Sequence, residues 1–134
     1  MNLLLVEDNL GDVGLVREAL KACQATVDLT VARDGQEAMA LLERGDQRPD
    51  LILLDLNLPR MDGREFLARI KTHPELHRIP VIVLTSSSAP KDIVNAYELH
   101  ANCYLVKPPD LAGIERVVAC FSEFWLKAVK LPGP

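Results

Sequence analysis

Short runs of Val, Ile and Leu alternate along this chain with longer stretches whose apolar residues recur at helical spacing, five times over. The runs cover residues 2–6, 27–32, 51–54, 81–84 and 103–106, and four of them are almost wholly apolar, as strands covered on both faces must be. Helical stretches follow over residues 11–23, 35–44, 63–71, 91–100 and 111–129, with Asp34 and Asp62 placed as N-caps. Helices that connect parallel strands cross over right-handedly. The predicted architecture is therefore α/β: a single doubly wound (βα)5 domain, an open twisted parallel sheet with helices on both faces. A length of 134 residues suits one domain, taken as residues 1–130, with residues 131–134 as a short, irregular, exposed tail.

Composition narrows the function classes. No apolar run approaches the roughly 18 residues needed to cross a bilayer, and acids end the first one, so neither a membrane span nor a signal peptide is expected. A formal charge of -4 offers no positive field for a phosphate backbone, and nucleic acid is not an expected partner. Cys23, Cys103 and Cys120 are odd in number, far apart and set in apolar segments, which reads as reduced, buried thiols of a cytoplasmic protein. His73 and His77 have i,i+4 spacing, but Pro74 interrupts the helix that paired metal ligation would need. They read as surface histidines, and His100 as the end of the fourth helix.

In doubly wound sheets, ligands bind outside the carboxyl ends of the strands, where strand order reverses. The residues after each run are therefore the ones to inspect. The first run ends in Glu7-Asp8, the third in Asp55-Leu56-Asn57, the fourth in Thr85-Ser86 and the fifth in Lys107-Pro108. If the strands are ordered 2-1-3-4-5, the flavodoxin-like arrangement, Glu7, Asp8 and Asp55 meet in one crevice. Two ionised carboxylates about 4 Å apart repel by roughly 4 kcal/mol at an effective dielectric near 20, so the cluster needs protons or a cation. Oxygen donors without His or Cys favour Mg²⁺. Lys107 and the Thr85 hydroxyl beside such an ion suit a phosphoryl group, and Asp55 is the candidate nucleophile, forming an acyl phosphate.

Val6-Glu7-Asp8-Asn9, Leu54-Asp55-Leu56-Asn57-Leu58-Pro59, Met61-Asp62-Gly63, Leu84-Thr85-Ser86 and Tyr104-Leu105-Val106-Lys107-Pro108 together resemble the receiver domain of two-component response regulators. The likeness spans nearly the whole chain, and it carries the 2-1-3-4-5 order with it. His100 to Tyr104 and Phe124 to Pro132 further resemble the small single-domain regulators that serve bacterial and cyanobacterial phytochrome histidine kinases. The resemblance implies that Asp55 accepts a phosphoryl group from a phosphohistidine of a partner kinase. It implies that Asp8 binds Mg²⁺ directly, Glu7 through water, and Asn57 through its backbone carbonyl, with Asp55 completing the set. Thr85, Ser86 and Lys107 would bind the phosphoryl group, and Lys107-Pro108 would be a cis peptide. Asn57 and Ser87 would tune water attack and signal lifetime.

The same resemblance implies a switch. Thr85 would be drawn to the phosphoryl group, Tyr104 would turn into the vacated space, and the face made by the fourth helix, fifth strand and fifth helix would change. In the last helix Ile114, Val117, Val118, Phe121 and Trp125 make a core stripe, while Phe124, Leu126 and Val129 fall partly outside it. A two-fold homodimer through this face is the expectation. Two other readings use the same acids. A Mg²⁺-dependent aspartyl phosphatase would place Asp-x-Asp after its first strand and carry a substrate cap, for which there is no spare length. A receiver-like module that has lost phosphorylation would not keep Glu7, Asp8, Asp55, Thr85 and Lys107 together.

Overall fold

The computed structural model describes residues 1–45 and 48–133. In chain order the elements are β1 (Asn2–Val6), α1 (Leu10–Ala22), β2 (Asp28–Ala32), α2 (Gly35–Arg44), β3 (Leu51–Leu54), α3 (Gly63–Thr72), a 3-10 turn (Leu76–Arg78), β4 (Val81–Thr85), α4 (Pro90–Glu98), β5 (Cys103–Val106), α5 (Leu111–Phe121) and a π-helical segment (Ser122–Ala128). The sheet order is β2-β1-β3-β4-β5, and every pairing is parallel. The doubly wound, flavodoxin-like expectation is the observed fold.

Strand alternation builds two cores. Leu3, Leu5, Leu51, Leu53, Ile82 and Leu84 face one side, where Val13, Val16 and Leu20 of α1 and Ile114, Val118 and Phe121 of α5 cover them. Leu4, Val6, Ile52, Leu54, Val81 and Val83 face the other, against Leu42 of α2, Phe66, Leu67 and Ile70 of α3 and Ala96 of α4. Side chains in a strand point to opposite faces with period two, so a central strand covered on both sides must be apolar throughout. The register aligns Val6 with both Ala32 and Leu54, and Leu54 with Val83. The carboxyl ends of the strands therefore open on one rim, and the first polar residue after each apolar run lands there.

Helix starts are set by side-chain caps. Asp34 accepts from the Glu37 N–H at 2.8 Å, Asp62 from Arg64 and Glu65 at 2.9 and 3.1 Å, Asn9 from Asp12 at 3.0 Å, and Asp110 from Gly113 at 2.6 Å. The Glu37 N–H, with the Arg60 guanidinium adding to it against the opposing effect of burial, holds the Asp34 carboxyl below the usual carboxylate range. Its stabilising effect is thus present above the unfolded-state pKa and lost as pH falls through the lower folded-state one. Asp34→Ala is expected to cost about 1–2 kcal/mol near neutral pH, and the difference from wild type should shrink in acid, as pH falls below the ordinary Asp range. Urea unfolding at neutral and at acid pH checks this.

The structure departs from the sequence reading in five places. The last helix is not one α-helix: after Phe121 it widens, and the Val129 N–H donates to the Phe124 carbonyl, an i→i+5 bond of 2.8 Å. That widening brings Leu126 as well as Trp125 onto the α1–α5 core and leaves Phe124 exposed. Leu131 of the tail also packs on this core instead of standing free. α4 stops at Glu98, and His100 lies beyond it at φ 71°. Cys120 is exposed and Cys23 and Cys103 are half-buried: Cys23 caps the end of α1, and Cys103 opens the edge strand β5. No peptide bond among the described residues is cis, so Lys107-Pro108 is trans. Lys107 nonetheless reaches the acidic rim, since its long side chain spans the distance.

Candidate functional site

Glu7 follows β1 and is held there by its N–H to the Ala32 carbonyl at 2.9 Å; Asp55 follows β3 by the bond of its N–H to the Val6 carbonyl at 3.0 Å. The two carboxylates are thus neighbours across the central strand pair. Lys107 extends the ladder one residue past β5, its N–H donating to the Thr85 carbonyl at 2.7 Å. Pro108 and Pro109, which have no N–H, end the ladder and turn the chain towards α5.

One oxygen each from Glu7, Asp8 and Asp55 lie within 4.8 Å of one another. Glu7 and Asp55 are 2% and 7% exposed, whereas Asp8 stands open to solvent. The Lys107 ammonium is shared among Glu7 Oε1 at 2.5 Å, Asp12 Oδ2 at 2.9 Å and Asp55 Oδ2 at 3.4 Å. One positive charge faces four carboxylates. Burial, with the charge of Asp55 adding to it and Lys107 opposing it, pushes the Glu7 carboxyl up to about 7. Burial alone would lower Lys107, but its hydrogen bonds to Glu7 and Asp12 and the charge of Asp55 outweigh it and hold the ammonium above its ordinary value. The excess of negative oxygen, the absence of soft donors and the open side at Asp8 fit a divalent cation of the hard, oxygen-loving class.

Thr85 is wholly buried and its Oγ1 has no hydrogen-bond partner among the described residues. A buried hydroxyl left unpaired is uncommon and costs free energy; Ser122 Oγ is in the same state, so it is the place of Thr85 at the end of β4, on the rim, that makes its hydroxyl available to an acceptor there. Ser86 is exposed and lines a groove with Asp12, Lys107, Pro108 and Leu111. Asn57 is exposed beside Asp55, its N–H donating to Asp55 Oδ1 at 3.3 Å. Tyr104 is half-buried, packs against the α2–α3–α4 core, and donates its hydroxyl to the Ser87 carbonyl at 2.9 Å. Burial pushes its phenol up. The Ser87 hydroxyl is engaged with Asp92 Oδ2 at 2.5 Å, and Arg64 meets the other oxygen of Asp92 at 3.1 Å.

Glu7, Asp8, Asp55, Thr85, Ser86, Asn57 and Lys107 are therefore gathered on the strand-end rim, while Tyr104 lies one step away at Ser87. Asp12 was missed. It occupies the first turn of α1, where an acid is ordinary because it complements the helix N-terminus. Nothing in the sequence singles it out; the contact of its Oδ2 with the Lys107 ammonium does.

Residues 3–119 match the family described as response regulator receiver domain. The response regulator Rcp1 of Synechocystis sp. is 49% identical over 97% of this chain and 92% of its own length. Among solved structures, the Mn²⁺-bound form of Rcp1 superposes with a TM-score of 0.93 at 48% identity, covering 98% of this chain and 99% of that one. The phosphorylated cyanobacterial phytochrome response regulator RcpA superposes equally well, with a TM-score of 0.93 at 47% identity over 98% of each chain. All of the sheet but its first residue, Asn2, and the acids at its rim fall inside the matched span, and the chain belongs to the response regulator receiver domain family.

Proposed function

We propose that this protein is a phosphoaccepting response regulator in which Asp55 takes a phosphoryl group from a histidine kinase in a Mg²⁺-dependent reaction. The observation that carries the reading is the Lys107 ammonium suspended among Glu7, Asp12 and Asp55, next to a buried Thr85 hydroxyl without a partner. An Asp55 carboxylate oxygen attacks phosphorus, the P–N bond to the kinase imidazole breaks, and a P–O bond forms. Glu7, Asp8, Asp55 and the Asn57 carbonyl would hold Mg²⁺, which when bound neutralises charge on the phosphoryl oxygens. Lys107 pairs with one phosphoryl oxygen, and Thr85 and Ser86 donate hydrogen bonds to others. The chain catalyses only its own phosphorylation and the later attack of water. Residues 1–130 form the receiver unit, with 131–134 as its tail.

The kinase must bring its histidine to Asp55, so it must seat on the rim. Leu10 and Leu111 are exposed there, at the starts of α1 and α5. They give a partner helix apolar contact on the side of the crevice where α1 and α5 lie together. The likeness to RcpA favours a phytochrome-type kinase, and a cytoplasmic setting suits that partner and the three free thiols. No helix among the described residues is long and apolar enough to cross a membrane.

For output, Thr85 moves to the phosphoryl group while Tyr104 reads the β4–α4 loop through Ser87. The α4–β5–α5 face carries exposed Val94, Tyr97 and Val106. We assign a homodimer to it. Sedimentation with and without beryllofluoride should show a dimer favoured by the phosphoryl mimic; a monomer at high concentration in both would remove this part of the reading. The central test is incubation with acetyl phosphate and Mg²⁺. One base-labile phosphoryl group per chain, absent in Asp8→Ala or in EDTA, is expected. Turnover of phosphomonoesters with no lasting adduct would instead identify a phosphatase.

A further inference from the structure

The loop between β3 and α3 carries Asp55 at its start and Asn57 two residues on, yet it is not held from the crevice side alone. Arg60, in the middle of this loop, has φ 60°, in the left-handed region. A residue after Pro59 with positive φ is where a type II turn calls for Gly or Asn, because a β-carbon is disfavoured there. An arginine stands at this position and its guanidinium reaches Asp34. Nε donates to Asp34 Oδ2 at 2.8 Å and a terminal nitrogen donates to the same oxygen. Asp34 is 1% exposed, and its other oxygen caps α2.

A second contact lies beside the first. The Gly35 N–H donates to the Met61 carbonyl at 3.0 Å, and a β-carbon on Gly35 would fall 2.5 Å from that oxygen. The loop thus lies backbone to backbone on the start of α2, with the Arg60–Asp34 pair as its charged fastening. On the crevice side, by contrast, the Asn57 N–H makes only a long bond of 3.3 Å to Asp55 Oδ1.

We infer that Arg60 and Asp34 are positioning residues for the cation site: by fixing the β3–α3 loop against α2, they hold Asp55 and the Asn57 carbonyl at the spacing that binds a divalent cation. This rests on the metal reading proposed above. Arg60 and Asp34 touch neither cation nor phosphoryl group; they act through the loop. A buried carboxylate paired with a forked cation is stiff, whereas the arginine, two-thirds exposed, can leave it when the loop moves.

The test titrates Mn²⁺ into the metal-free protein by electron paramagnetic resonance, well below each variant's melting temperature. Arg60→Gly keeps the positive φ and removes the pair; Asp34→Asn keeps an N-cap and removes the charge. Both are expected to weaken Mn²⁺ binding by about tenfold, as loss of ligand-orienting groups does, with Arg60→Lys in between. The rate with acetyl phosphate should fall at low Mg²⁺ and recover at saturating Mg²⁺. Amide exchange across residues 57–61 should quicken in the metal-free variants. If wild type binds Mn²⁺, Asp8→Ala does not, and Arg60→Gly and Asp34→Asn bind as wild type does, the inference is overturned and the metal reading stands. A wild type that binds no Mn²⁺ overturns both.

Discussion

Asp55→Asn is expected to abolish stable labelling by acetyl phosphate and, in EDTA, to leave the protein more stable than wild type. The loss of labelling, at least about a thousandfold, follows from removing the nucleophile itself. The gain in stability follows from the charge count on the rim, where Asp55 adds to the burial that raises Glu7. Each such repulsion is worth up to about 4 kcal/mol at 4 Å and an effective dielectric near 20. Lys107 offsets part of it through its 3.4 Å contact with Asp55, a contact the variant loses. The net gain should therefore be about 1 kcal/mol. Saturating Mg²⁺ should reverse the order, because wild type gains about 2.7 kcal/mol at a hundred times its dissociation constant and the variant gains less. Urea unfolding with and without Mg²⁺ reads both signs. A variant that is less stable than wild type in EDTA would mean that Lys107, rather than repulsion, dominates the empty crevice.

That charge count explains why so much of the site was legible beforehand. A doubly wound fold puts the residue after each apolar run on one rim, so the end of a run is enough to nominate Glu7, Asp55, Thr85 and Lys107. β1, β3 and β5 have the bounds that the apolar runs predict, since buried strands leave little ambiguity about where hydrocarbon stops. Strand order came with the family resemblance; periodicity alone does not contain it. What escaped was geometry set by side-chain reach or by competition among contacts. Asp12 joins Lys107 from a helix turn where an acid is unremarkable. The widened helix at Ser122–Ala128 carries the same apolar residues as an α-helix would, so the pattern does not announce it; in the widened form both Trp125 and Leu126 pack on the core. Arg60 looks like a surface charge in a turn until Asp34, distant in sequence, is found buried beneath it.

Gly63 provides the second large effect, on fold and site together. It opens α3 directly behind the phosphoacceptor, and its N–H donates to the Leu56 carbonyl at 2.9 Å. A β-carbon there would lie 2.4 Å from the Asp55 carbonyl oxygen and 2.6 Å from Leu56 Cα. Both obstacles are backbone, so neither can rotate away, and α3 must shift against the sheet that it covers with Phe66, Leu67 and Ile70. Gly63→Ala is expected to cost about 3 kcal/mol or more in urea unfolding. The labelling rate of the folded fraction should fall about a hundredfold, the penalty of displacing a reacting group by about 1 Å. Gly14, exposed in the interior of α1, gives the control: a β-carbon there meets nothing within 4 Å. Gly14→Ala should stabilise by about 0.5–1 kcal/mol through helix propensity and leave labelling unchanged. The two substitutions add the same methyl group, so their opposite signs isolate contact with the Asp55 backbone as the cause. A Gly63→Ala variant within about 1 kcal/mol of wild type and labelled at the wild-type rate would show that α3 can retreat without disturbing Asp55.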